Sequence, residues 1–446
     1  MSLLRNRNFL CLQTGWGISG LGSQLQSFAF ALYILQRTGS AMQFAVTLCL
    51  QIIPTVLLAP FSGYLADRWD RKRQIVLFDL LSAAMALLFW GIFRVTGRLS
   101  VAQVYLCVAF LAGLQEFTST TSSGLMQAVI PPEDFTVQKT VGSIIQSLTA
   151  VAGPALGGAV YGAAGLGPLL LANSVSFFAC ALLECCIRLR PTDRPQGREG
   201  HRLEQFFLSQ REAVQYVRHN RFLQSFLVIV PALNFIVPAT DVGLMTVAQN
   251  RFRVGSAVMG VASAAVAVGM AVGALFAGRF GSRRVERMGL GIMICRVTAL
   301  IALAFAGGGM LLLAGGRILP DTALFRLLVL VSATIAGCCG FISVHISAAF
   351  MRNVAPEIIG RTSALTGAVT VSAAPLGQVI AGALLSTLPA GAMYLAEGVF
   401  SALTMLFAGK TDRKAARSVI IEKDGATSPY REGYNGQIGS PHGGSH

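Results

Sequence analysis

A chain of 446 residues, 54% of them hydrophobic and only 12% charged, is too apolar for a soluble globular protein. A formal charge of +15 invites a nucleic-acid partner, yet the basic residues fall in short clusters between long apolar runs, which argues against one. A bilayer span takes roughly 20 apolar residues, so about twelve spans would use about 240 residues, and the chain has them to spare.

The first six apolar runs are Phe9 to Leu35, Gln43 to Ala66, Ile75 to Val95, Val101 to Val129, Val137 to Ala164 and Pro168 to Ile187. After a polar middle come Phe222 to Ala248, Val254 to Phe280, Met288 to Ala314, Ala323 to Met351, Thr362 to Leu388 and Gly391 to Ala408. The first run follows Arg5 and Arg7, but it is too long for the apolar core of a secretory signal. Basic clusters at Arg5 and Arg7, Arg68 to Arg73, Arg188 to Arg221, Arg279 to Arg287 and from Lys410 onward alternate with loops that hold only scattered arginines, such as Arg37, Arg94, Arg98, Arg251 and Arg317. This asymmetry predicts a multi-pass protein of a bacterial inner membrane with its amino and carboxyl termini in the cytoplasm.

The expected organisation is a six-span bundle over 1–187, a cytoplasmic linker over 188–221, a second six-span bundle over 222–409 and a disordered tail over 410–446. Arg188 to Arg202 is rich in charge, Pro and Gly, as an exposed linker is. Leu203, Phe206, Phe207, Val214 and Val217 then recur at helical spacing, which predicts an amphipathic helix on the inner membrane surface. The tail is polar and rich in glycine. The nine cysteines lie in apolar stretches without metal-like spacing around His or carboxylates, and read as small buried hydrophobes. No metal and no cofactor is expected.

The densest polar feature is Gly63-Tyr64-Leu65-Ala66-Asp67-Arg68-Trp69-Asp70-Arg71-Lys72-Arg73, a charged hairpin between two spans. A plain cytoplasmic anchor needs only Lys and Arg, so the acid Asp67 marks this turn as functional. Gly63, Leu65, Ala66, Asp67, Arg68, Arg71 and Lys72 match a pattern that runs Gly, any, Leu, Ala, Asp, Arg, any, Gly, Arg, Lys. The segment thereby resembles the loop between the second and third helices of the major facilitator superfamily. Asp70 replaces the second glycine. With Thr38-Gly39-Ser40-Ala41 upstream, that departure is similar to the macrolide-efflux branch of drug and proton antiporters. The resemblance implies twelve transmembrane helices in two pseudo-symmetric six-helix bundles, and a gate at this loop that favours the outward-facing state.

The halves look like copies. Pro132-Glu133 before the fifth span answers Pro356-Glu357 before the eleventh, and Gly153-Pro154-Ala155-Leu156-Gly157 is echoed by Ala374-Pro375-Leu376-Gly377. Gly278-Arg279-Phe280-Gly281-Ser282-Arg283-Arg284 stands where the twin of the charged hairpin belongs, without its acid. Such repeats place a substrate site near the membrane midplane, between two rocking bundles.

Gly153-Pro154-Ala155-Leu156-Gly157-Gly158 combines a proline that kinks a helix with glycines that admit a neighbouring helix. It resembles the fifth-helix signature of antiporters in the superfamily, with Gly153, Pro154, Gly157 and Gly158 as its residues, which implies export in exchange for an ion such as the proton. Proton coupling needs an ionisable group inside the membrane. Glu116, near the middle of the fourth span, and Asp241, in the outer half of the seventh, are the first candidates, each weighed against a carboxylate held only for helix packing. Arg296 in the ninth span reads as a partner for an acid; His345 in the tenth and Glu397 in the twelfth are further candidates. Glu184 lies close to Arg188 at the inner edge and reads as structural. Relatives often carry an arginine three residues before a glutamine in the fourth helix; here Ala112 precedes Gln115, so Glu116 is left with that duty.

A drug-sized substrate needs an apolar cavity with a few polar contacts. Gln24, Gln26 and Phe30 of the first span, Gln146 of the fifth and Asn234 of the seventh are the candidates, with helix-packing hydrogen bonds as their alternative role. Gly15-Trp16-Gly17-Ile18-Ser19-Gly20 fits a dinucleotide-binding pattern, but no strand precedes it and no acid follows before Asp67. Gly409-Lys410-Thr411 lacks the first glycine of a phosphate loop, Thr404 standing there. No Ser-His, paired-Asp or zinc-binding set points to an enzyme. The sequence therefore predicts a secondary efflux transporter that exports hydrophobic or cationic, drug-like or macrolide-like compounds by proton antiport. Its partners are the bilayer, a small-molecule substrate and protons, and it acts as a monomer. The alternatives are an exporter of an endogenous metabolite such as a siderophore and a transport-inactive sensor.

Overall fold

The computed structural model describes residues 6–131, 134–187, 214–280, 290–314, 319–354 and 359–423. Among them the regular elements are all helices. In chain order these are α1 (Arg7–Thr38), α2 (Ala41–Cys49), α3 (Ile53–Arg68), α4 (Arg71–Thr96), α5 (Val101–Val129), α6 (Phe135–Ala164) and α7 (Leu166–Cys185). The second half holds α8 (Arg221–Asn250), α9 (Ser256–Phe280), α10 (Leu290–Ala314), α11 (Asp321–Asn353), α12 (Ile359–Thr387) and α13 (Ala390–Lys423). Counting α2 and α3 together, 12 spans are long and apolar enough to cross a membrane.

Local chemistry sets where these helices begin and stop. The Asn6 side chain accepts from the Asn8 and Phe9 amides at the start of α1, at 3.0 and 3.3 Å, and Gly39 ends it in the left-handed region at φ 64°. Ser100 and Gln103 cap α5 reciprocally, and Asn220 caps α8. The second span, expected as one run from Gln43 to Ala66, is instead broken between α2 and α3. Pro54 lies in the first turn of α3 and has no N–H for the Leu50 carbonyl, so the helix restarts there. Another correction concerns the tail: the last helix continues to Lys423 instead of ending near 410. Its sequence there, Lys414-Ala415-Ala416-Arg417, consists of strong helix formers. In the linker only 214–219 are described before the cap, and they are helical, with Val217 buried against Leu223 and Phe350. The rest of the expected amphipathic helix lies outside the described residues, as do Pro132-Glu133, Pro356-Glu357 and residues 281–289.

The packing repeats itself across the halves. In the first half α1 packs on α6 and α7, α4 on α7, and α3 on α5; in the second α8 packs on α12 and α13, α10 on α13, and α9 on α11. These are the same pairings six spans later, the pseudo-twofold arrangement of two six-helix bundles. The seams between halves obey the same relation, α6 against α9 and α2 against α12. They gather at the end that carries Gly39. There Gln36 Nε2 donates to Ser256 Oγ at 2.8 Å, Asn250 Nδ2 donates to the Gly39 carbonyl at 2.9 Å, and Gly382 fits against Ala41, Met42 and Ala45. The turn Trp69–Asp70 lies at the opposite end. The largest apolar core runs mainly through the second half, around Ile236, Met245, Ile301, Phe305, Ile335 and Tyr394.

Candidate functional site

A cavity of about 290 Å³ opens at mid-height inside the first half, between α1, the α2–α3 break, α5, α6 and α7. Gln24, Gln26, Gln51, Gln115 and Gln146 line it, with Ser23, Thr55, Thr149 and Asn173, and the rings of Trp16, Phe30 and Phe177 complete its wall. No charged side chain is among its lining residues. Asn173 Nδ2 donates to Gln26 Oε1 at 2.7 Å, and Ser176 Oγ donates to Asn173 Oδ1 at 3.1 Å, which fixes two of these amides. Four of the substrate candidates, Gln24, Gln26, Phe30 and Gln146, meet at this cavity. Asn234 does not; its side chain donates to the Val230 carbonyl within α8 at 3.2 Å. Gln51, Gln115 and Asn173 were beyond sequence reasoning as lining groups, although an amide inside an apolar run is the signal that marked the others. Ala112, at the place where relatives often have arginine, lines the same space.

The Gly-Pro segment of α6 runs along the cavity and into the seam. A Cβ on Gly153 would meet Gln24 Cβ at 2.5 Å, and one on Gly157 would meet the Leu25 carbonyl at 3.1 Å, so these glycines seat α1. Gly158 faces the other way, 2.5 Å from the Ser256 carbonyl by the same measure, and the Pro154 carbonyl packs on Gly260 of α9. One helix thus touches the cavity wall and the opposite half through residues at the closest possible approach. A side chain added at Gly158 would force the halves apart.

The charged loop is a set of struts within the first half. Asp70 caps α4 by accepting from the Arg73 amide at 3.0 Å. Arg71 donates to the Ala66 carbonyl at 3.3 Å and to the Gly124 carbonyl of α5 at 3.0 Å. Lys72 Nζ reaches the Cys185 and Ile187 carbonyls at 2.8 and 2.7 Å, neutralising the carboxyl end of α7. Arg68 lies over the Tyr64 ring at 4.5 Å on the exposed side. Gly63 has open space where a Cβ would be. Asp67 belongs to α3, but its side chain is outside the described residues.

The acids within the spans separate into three places. Glu116, adjacent to the cavity-lining Gln115, turns toward α3, where its Oε1 accepts from Ser62 Oγ at 3.3 Å and Thr120 Oγ1 at 3.1 Å. Glu397 on α13 is buried; its Oε2 accepts from Thr240 Oγ1 at 3.4 Å, beside Asp241, while Oε1 has no partner. His345 is buried against Phe341, with ring centroids 4.8 Å apart, and its Nε2 has no partner. Arg296 shares the exposed face of α10 with Ile292, Leu300 and Leu303. Four-residue spacing keeps these side chains on one side of the helix.

The third place is one that sequence reasoning missed. Asp79 of α4 and Cys180 and Glu184 of α7 bring a carboxylate, a thiol and a second carboxylate within 4.8 Å of one another, all buried. Asp79 is a lone acid two turns into an apolar span, which is by itself a functional signal. The expectation that cysteines stay clear of carboxylates fails at Cys180, since its neighbour on the third span could not be known. Cys185 and Cys186, expected as buried, are exposed at the end of α7. Arg188, close to Glu184 in the sequence, lies outside the described residues.

Residues 15–370 match the family model of the Major Facilitator Superfamily. The chain is 22% identical over 380 residues to macrolide efflux protein A of Streptococcus pyogenes, covering 83% of this chain and 88% of that protein. Among solved structures it is similar to a bacterial homologue of the iron transporter ferroportin in its inward-facing state, with a TM-score of 0.64 at 21% identity over 93% of this chain and 99% of that one. It is also similar to the nucleoside transporter NupG, with a TM-score of 0.66 at 15% identity over 90% and 98% of the two chains. With twelve helices in two matched bundles and a family match across most of its length, this chain belongs to the major facilitator superfamily of membrane transporters.

Proposed function

We propose that this transporter exports hydrophobic, macrolide-like or other drug-like compounds from a bacterial cytoplasm, in exchange for protons, by alternating access. The observation that carries the reading is the amide-lined cavity at mid-height, walled by α6, the same helix that forms the seam between halves. Its five glutamines offer neutral donors and acceptors, suited to a cargo rich in carbonyl and hydroxyl groups. Its volume of about 290 Å³ lies at the low end for drug-sized ligands, about 300–1,000 Å³, so a large cargo also occupies the space between the halves. Similarity to macrolide efflux protein A supports cargo of that class.

With the termini in the cytoplasm, the Gly39 end, where the halves meet, faces outward, as suits a transporter that loads from the cytoplasm. Glu116 carries the proton: it is held by two hydroxyls next to a cavity residue, so a change in its charge is felt by Gln115 and by α3 together. Asp241, Glu397 and His345 are secondary sites in the other half. The protein acts as a monomer, with no cofactor.

The test is drug uptake into everted vesicles or proteoliposomes under an imposed pH gradient, with a fluorescent macrolide as probe. The parent accumulates the probe and dissipates the gradient, whereas correctly inserted Glu116→Gln loses gradient-driven uptake but still binds. Equal uptake by that variant would remove Glu116 from the mechanism. Absence of any probe-dependent proton flux in the parent would instead favour a metabolite exporter.

A further inference from the structure

We propose that Asp79, Cys180 and Glu184 form a binding site for a divalent transition-metal ion of the zinc or cobalt class, which staples α4 to α7. The three donor atoms lie within 4.8 Å of one another, on side chains that are all buried. Cys180 Sγ is 3.6 Å from Glu184 Oε1, and Gly15 of α1 presses on the sulfur from behind: a Cβ there would come within 3.0 Å of it. Thr118 of α5 donates to Asp79 Oδ1 at 3.3 Å and fixes that carboxylate's orientation.

The cluster is more than an acidic patch, because each carboxylate keeps one buried oxygen, Asp79 Oδ2 and Glu184 Oε2, that has no hydrogen-bond partner. These side chains are 1% and 4% exposed, so water does not satisfy those oxygens from outside. Burying unpaired carboxylate oxygens side by side is costly, and a divalent cation between them turns repulsion into attraction. The donor set selects the ion. Calcium and magnesium want six or more oxygens or an octahedral shell rich in water, whereas one thiolate with two carboxylates suits zinc or cobalt, at about 2.3 Å to sulfur and about 2.1 Å to oxygen. Small side-chain rotations bring the donors to those distances and leave a fourth position for water. On binding, the thiol proton is released to solvent and the sulfur becomes a ligand. Glu184 is one residue from the end of α7, where Cys185 and Cys186 are exposed, which provides the entry route.

Titration of the purified full chain with cobalt tests this. A sulfur-to-cobalt charge-transfer band should saturate at one equivalent and persist in the Cys185→Ser/Cys186→Ser variant. It should vanish in Cys180→Ser, and Asp79→Asn should weaken affinity at least about tenfold. X-ray absorption on the zinc-loaded parent needs no variant, and should find one sulfur and otherwise oxygen in the first shell. No charge-transfer band in the parent, a band that follows Cys185 or Cys186, or a zinc shell without a single sulfur would overturn the assignment.

Discussion

The two halves share a helix plan and differ in what fills it. In the second half glycines bring backbones together: Gly269 meets Ala333, Gly273 meets Gly337, Gly340 meets Met270 and Gly309 meets Gly391, around a continuous apolar core. In the first half the same layer is opened by five glutamines into a cavity, and below it sits the Asp79, Cys180 and Glu184 cluster. One bundle is hollowed by an amide-lined cavity, while the other keeps a mainly apolar groove of about 440 Å³ between α9 and α11. Duplication of a fold thus does not duplicate its chemistry: small residues where side chains would meet give contact, while amides at comparable depth hold space open because they need partners.

Five substitutions probe this contrast. The largest effect is expected for Gly273→Leu, where the new side chain collides with the Gly337 backbone of α11. Overpacking there should cost about 3 kcal/mol or more, seen as loss of folded monodisperse protein in a thermal-stability assay. A comparably stable variant would mean that the second half is looser than its backbone contacts imply. Next comes Arg71→Ala, which leaves the Ala66 and Gly124 carbonyls without their donor and should lower stability by about 2 kcal/mol. Gln146→Leu removes one cavity amide and should raise the KM for a macrolide probe about tenfold, equal to about 1.4 kcal/mol, while Asn234→Leu, outside the cavity, leaves KM alone. If the two variants behave alike, the hollow half is not where the cargo binds. The smallest effect belongs to Arg68→Ala, whose exposed contact with Tyr64 should be worth about 0.5 kcal/mol.

Much of the candidate site was legible in the chain because polar residues in apolar spans are few. Gln24, Gln26 and Gln146 could be chosen on that ground, and the kinked glycine run by its spacing. Asn234 was chosen on the same ground and lies elsewhere, since its amide is satisfied by its own helix. A period near 3.6 residues tells which residues share a face, but not whether that face meets a neighbour or the lipid.

The sequence by itself determined the number of spans, their alternation of basic loops, the duplicated order and the charged turn, because each follows from local composition and short spacing. Only the tertiary structure decided which end the halves close, how Gly158 and Gly260 share one seam, and that Asp79 meets Cys180 and Glu184 about a hundred residues away. Those facts depend on how helices rotate and stack against one another, and the rotation is set by side-chain volume summed over whole contacts, which no single segment of the chain carries.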